Sequence, residues 1–176
     1  MQQYSKVYAQ ALYEIAAEDG QEQQLLDEIT EVGRLMDETP ELREVMTSPT
    51  FSNEERIDII NSVFGSQACT TMVNFLCVLC EEGRAGSVAE ITEAFRNLYN
   101  EAHGIAEATV TTAVPLDAAA RERLKSKLES GSSKRVIMTE KVDPSIIGGV
   151  IVRIGDKLID GSVRSKLSRA NTDISS

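Results

Sequence analysis

Cys77 and Cys80 stand as Cys-x-x-Cys, with Cys69 a short way upstream, and thiols at that spacing can ligate zinc or cycle as a redox dithiol. Zinc needs four ligands, and His103 is the only histidine in the chain. A redox pair opens a helix after a strand and has a lowered thiol pKa. These two cysteines instead sit inside Met72-Val73-Asn74-Phe75-Leu76-Cys77-Val78-Leu79-Cys80, where a thiol packs as a small hydrophobe. Ser162 follows Asp160-Gly161, yet no histidine is on hand to activate it as a nucleophile; a helix N-cap is the simpler role. Arg153, Lys157 and Arg164 could gather at a helix N-terminus for a phosphate, or act as surface charge and partner contacts. Glu54-Glu55 and Glu81-Glu82 lie at solvated helix ends, and His103 reads as a cation at a helix C-terminus. There is no P-loop, no dinucleotide fingerprint and no metalloprotease, nucleophile-elbow or EF-hand motif. The expectation is a chain without catalytic residues, cofactor or metal.

The elements that position these residues change character part-way along. Up to Gly104 the apolar spacing is helical throughout. Val7, Ala11 and Ile15, flanked by Tyr4, Tyr8 and Leu12, make one apolar face; Leu25, Ile29, Val32 and Met36 make a second. Thr39-Pro40 reads as an N-cap with proline at the first helical position, and Ser52-Asn53-Glu54-Glu55 as a capping box before Ile57, Ile60 and Phe64. A fifth helix over 67–82 is apolar nearly all round, so it is either central or covered by a partner. A sixth, over 87–102, carries Val88, Ile91, Phe95, Leu98 and Ala102 on one stripe. Beyond Gly104 the alternation of Ala106, Ala108, Val110, Thr112 and Val114 is a strand's. A helix over 117–129, strands over 134–142, 149–154 and 157–159, and a final helix capped by Ser162 follow. The fold class is therefore α+β in two domains. Residues 1–104 form an all-α six-helix bundle, and 105–176 a small mixed α/β domain in the order β-α-β-β-β-α. The segment from Val142 to Arg164 has glycine wherever the backbone must bend, at Gly148, Gly149, Gly155 and Gly161, which suits a docking scaffold.

The net charge of −10 is unevenly spread. Residues 1–104 hold 6 Lys and Arg against 19 Asp and Glu, whereas 105–176 hold 12 against 9. Either the two parts meet different partners, or solvated helix faces simply happen to be acidic. Nucleic acid is excluded: the acidic part would repel phosphates, and the other part lacks interleaved aromatics. No apolar run is long enough to span a membrane. The N-terminus carries neither a signal-peptide nor a transit-peptide pattern, and reduced cysteines fit a cytosol-type compartment.

From Ile147 to Leu167, with Gly148-Gly149, Gly155-Asp156-Lys157-Leu158-Ile159-Asp160-Gly161-Ser162-Val163-Arg164 inside it, the chain resembles the delta-subunit family of F-type ATP synthases. That family includes the mitochondrial oligomycin-sensitivity-conferring protein. Tyr8-Ala9-Gln10-Ala11-Leu12 resembles its opening helix, and Glu81-Glu82-Gly83-Arg84 its helix 5–6 junction. The resemblance implies a non-catalytic stator subunit on the periphery of ATP synthase, at the cytoplasmic face of a bacterial membrane or the stromal face of a thylakoid, without direct membrane insertion. It implies that the bundle holds the N-terminal helix of an alpha subunit in a groove between helices 1 and 5. Carried onto this sequence, that groove contains Tyr8, Ala11, Leu12, Ile15, Phe75, Val78 and Leu79. The C-terminal domain would engage the b subunits of the peripheral stalk, with Gly148, Gly149, Gly155, Asp160, Gly161, Ser162 and Arg164 as its motif. The competing readings are a cytosolic helical adaptor and a thiol oxidoreductase using Cys77 and Cys80.

Overall fold

The computed structural model describes residues 2–48, 50–146, 148–155 and 157–160. Two compact units divide the chain, Met1–Tyr99 and Asn100–Ser176. The elements before β1 are α1 (Gln2–Asp19), α2 (Glu22–Glu38), α3 (Pro40–Thr47), α4 (Asn53–Phe64), α5 (Thr70–Glu81), a 3-10 turn (Ala85–Ser87) and α6 (Val88–Ala102).

Local chemistry accounts for most of the helix ends. Gly20, at φ +64, lets the chain leave α1 while the Gln21 N–H returns to the Ala16 carbonyl at 2.8 Å. Thr39 ends α2, its N–H donating to Leu35 O, and also precedes α3. It makes no side-chain cap, contrary to the sequence expectation, because one residue shared by two helix ends sits at φ −124, ψ 88 rather than in an extended capping geometry. Ser52 does form the box. Glu55 N–H donates to Ser52 Oγ at 3.2 Å and Ser52 N–H to Glu55 Oε2 at 2.9 Å. Ser52→Ala is expected to lower the unfolding free energy of this unit by about 1 kcal/mol in denaturant melts. The bonds from Ser52, backbone first and side chain second, hold the Glu55 carboxyl below its ordinary pKa. The box's contribution is thus present above the unfolded value and lost as pH falls through the lowered folded one, so the Ser52→Ala difference should shrink in acid.

The core of the first unit joins Leu25, Ile29, Val32, Met46, Ile60, Met72, Leu76, Leu79, Ile91 and Phe95, all 2% exposed or less. On α1 the inward face is Ser5, Ala9, Leu12 and Ala16. This corrects the sequence reading, which put Val7, Ala11 and Ile15 on the single apolar face. Alanines and a serine let α1 approach its neighbours closely, so the small face is buried and the larger one is left outside. The buried face of α4 is a second departure: Arg56, only 7% exposed, is buried with Ile60 and Phe64, and Ile57 is only partly so.

In the second unit β1 (Ile105–Thr112), α7 (Ala118–Ser132), β2 (Arg135–Val142), β3 (Val150–Ile154) and β4 (Lys157–Asp160) build one sheet in the order β2-β1-β3-β4. β1 pairs with β2 in parallel and with β3 antiparallel, Val110 standing opposite Val152. A parallel pair needs a crossover connection, and α7 supplies it. Leu116, Leu124 and Leu128 pack on Ala106, Ala108, Val110, Val136 and Val152. Asp117 caps α7, accepting from Ala120 N–H at 2.6 Å. The helix runs on through Gly131 and Ser132, past residue 129 where the spacing ends it, and stops at Ser133 in the left-handed region at φ 54. β3 and β4 form a hairpin through Gly155, at φ +53, the positive value that such a turn requires. The final helix capped by Ser162 falls outside the described residues.

Candidate functional site

Turning α1 so that Ala9, Leu12 and Ala16 face the core leaves a second stripe in solvent. Tyr4 is 57% exposed, Val7 63% and Ile15 45%, and Ala11 is exposed between them. The spacing of 4, 7, 11 and 15 places them on one side of a helix. Tyr8 lies at the edge of this stripe, half-buried, with its ring edge-on to Phe75 of α5 (centroids 6.5 Å apart, planes at 70°). One helical step further along α5, Val78 is 45% exposed. α5 is therefore not enveloped by its own unit, despite being apolar nearly all round: Met72, Val73, Leu76, Leu79 and Cys80 are buried, and a strip through Phe75 and Val78 is left to solvent.

Of the seven residues expected to line a groove, Tyr8, Ala11, Ile15, Phe75 and Val78 are at least partly accessible. Leu12 and Leu79 are not. At 1% and 0% exposure they belong to the core, which corrects their assignment as contact residues. Each lies one position along the chain from a surface member, and a helix turns about a quarter of its circumference in that step. Tyr4 and Val7 extend the accessible stripe toward the N-terminus; their exposure could be found only once the inward face of α1 was known. Arg84 is a further addition, its guanidinium carbon 4.6 Å from the centroid of the Tyr4 ring. Ser5 Oγ donates to Glu90 Oε2 at 2.9 Å, tying the first turn of α1 to α6.

The cysteines have the wrong electrostatics for redox work. Burial first, with the Glu81 charge second, raises the Cys77 thiol pKa. Burial pushes Cys80 up to about 11, and its Sγ lies 3.8 Å from Met46 O. A reactive thiol needs the opposite shift. In the native protein at neutral pH, Cys80 should resist Ellman's reagent and become titratable after denaturation; rapid native modification would contradict this packing. Among the described residues no three His, Cys, Asp or Glu side chains gather to hold a metal. Of the glycine-marked motif, Gly148 and Gly149 take φ of +114 and +94 at a bend, and Asp160 closes β4. Gly161, Ser162 and Arg164 lie outside the described residues.

An apolar surface shared by two helices fits the binding of a partner. The family model described as ATP synthase delta (OSCP) subunit matches residues 5–174. The chain belongs to that family. The ATP synthase subunit delta of Alkaliphilus oremlandii is 32% identical over 171 residues, spanning 97% of this chain and 95% of its own. That of Brevibacillus brevis is 36% identical over 162 residues, spanning 92% and 93%. A chain of the mitochondrial ATP synthase hexamer of Toxoplasma gondii matches with a TM-score of 0.77 over 98% of this chain and 97% of its own; at 18% identity that is a likeness of fold. This delta-family chain is thus a non-catalytic stator subunit of an F-type ATP synthase. It is a peripheral part of a membrane-bound complex, and among its described residues no helix is long and apolar enough to cross a membrane.

Proposed function

We propose that the chain ties the catalytic head of ATP synthase to the peripheral stalk by dividing the task between its two parts. Residues 1–104, as a six-helix bundle, hold the N-terminal helix of the alpha subunit along the α1–α5 stripe. Residues 105–176, as a β-α-β-β-β-α domain, engage the C-terminal part of the b subunits, at the cytoplasmic face of the membrane. The observation that carries the first half is the second apolar face of α1. A helix that has already given one face to the core keeps Tyr4, Val7, Ala11 and Ile15 in solvent, and Tyr8 at the edge of that stripe meets Phe75 of α5. Contiguous exposed apolar surface of this kind marks an interaction site, and two helices side by side suit an amphipathic third laid between them.

The stalk must withstand the torque of the rotor, so the complex has to outlive many turnovers. Nanomolar binding, about −12 kcal/mol, is the scale required. The test is a titration of the full-length chain with a peptide of the first ~25 residues of its cognate alpha subunit, which as a helix spans about 37 Å and so covers the whole stripe. No binding at micromolar concentration would remove the groove reading.

A further inference from the structure

Glu81-Glu82-Gly83-Arg84 closes α5 with a particular backbone geometry. Gly83 is at φ +63, its N–H donating to Cys80 O at 3.1 Å, while the Arg84 N–H returns to Leu79 O at 2.7 Å. A left-handed glycine followed by this longer back-bond is a Schellman-type cap, which reverses the chain beyond the helix end. The reversal brings Arg84 to α1, where it stacks on Tyr4. Because Tyr4 begins the exposed stripe, the guanidinium stands at one end of the apolar groove.

The charge around it is what gives this position meaning. The other arginines of the unit are engaged: Arg34 and Arg43 with Glu31, Glu38 and Asp37, Arg56 with buried carbonyls, and Arg96 with Thr30. Among the described residues Arg84 bonds to no carboxylate, although Glu81 and Glu82 precede it on the same turn. Glu90, close by in sequence, takes the Ser5 hydroxyl instead. Lys6 falls about half a turn of α1 away from the stripe. A guanidinium lying on a ring keeps its in-plane N–H donors free for an oxygen partner. At the other end the stripe runs out at Glu18, three residues past Ile15.

On the groove reading above, we infer that Arg84 is a specificity-determining residue: it pairs with a carboxylate on the docked helix and thereby fixes that helix's register. A slip of one turn moves such a carboxylate about 5.4 Å along a unit in which acidic residues greatly outnumber basic ones. The displaced group then loses its cation on a surface whose net charge is negative. Correct registry is favoured by attraction at one end and enforced by repulsion elsewhere.

The experiment titrates the full-length chain with the cognate alpha N-terminal peptide and with versions in which each Asp or Glu is replaced in turn by its amide. Arg84→Gln should weaken the parent peptide about tenfold, and the loss should vanish against one particular amide version. Tyr4→Leu removes the stack while keeping the cation; it should retain the sensitivity to that same amide. An Arg84→Gln affinity within twofold of wild type overturns the inference, as does a loss equal for every peptide, since the stack then only braces α1. A cognate segment with no carboxylate overturns it too. Failure of wild type to bind the parent peptide overturns the groove itself, a separate result from wild-type binding that ignores Arg84.

Discussion

Ala11→Asp should weaken binding of the alpha N-terminal peptide about 100-fold, close to 3 kcal/mol, and leave the melting temperature of the free protein unchanged. Ala11 sits mid-stripe on α1 and is exposed in the chain alone, so the free protein accommodates the carboxylate in water at no cost to the fold. Once a helix is laid over it, the same charge is stripped of solvent between Val7 and Ile15 with no partner, and an unpaired charge in an apolar interface is strongly unfavourable. The small alanine also lets the docked helix come close, so added bulk works in the same direction. Calorimetric titration reads the affinity and a thermal melt reads the stability. An affinity within threefold of wild type would put the docking face elsewhere. Leu12→Ala is the contrasting case: Leu12 is 1% exposed, so truncation opens a cavity and lowers stability by about 3 kcal/mol before it touches affinity.

Arg56→Ala is expected to destabilise the first unit by about 3 kcal/mol. This side chain is 7% exposed, and among the described residues it pairs with no carboxylate. Nη1 donates to Cys80 O at 3.2 Å and Nη2 to Ser48 O at 2.6 Å. Cys80 lies in the last turn of α5, and Ser48 is the residue that ends α3. The guanidinium therefore bridges the carbonyl ends of two helices, where the partial negative charge of each favours a cation. Nε has no hydrogen-bond partner, so the site is already under-satisfied. Removing the head group leaves two carbonyls without their donors as well as a void. Urea unfolding followed by far-UV circular dichroism measures the loss, and a change below 1 kcal/mol would show that the carbonyls find other donors. Arg56→Met, which keeps the stem and drops the donors, separates packing from hydrogen bonding. Loss of Arg56 should also loosen the end of α5 from which Gly83 and Arg84 turn toward α1, linking core stability to the groove rim.

The groove shows where reading along the chain stops. Both of its helices were legible, because helical periodicity, the glycine stops and the Ser52–Glu55 box are set by neighbours in sequence. Tyr8, Ala11, Ile15, Phe75 and Val78 were placed by resemblance and are accessible in the fold. Leu12 and Leu79 were placed with them and prove to be core, since a groove wall and a core face can differ by a single position on a helix. Thr39 was read as a cap from its type and its proline neighbour, but its backbone is constrained from both sides by adjoining helices.

The sequence by itself determined the element types, the change from helical to strand spacing after Gly104, the lack of any catalytic motif and, through the glycine-marked motif, the family. These follow from dihedral preferences, short-range hydrogen bonds and spacing, all of which act over a few residues. Only the tertiary structure decided that α1 turns its alanines inward, that Arg56 is buried between helix ends, that Arg84 swings onto Tyr4, and that β1 lies between β2 and β3. Each of those outcomes depends on how closely elements distant in sequence can approach. Close packing chooses among faces that look equally apolar when the chain is read alone.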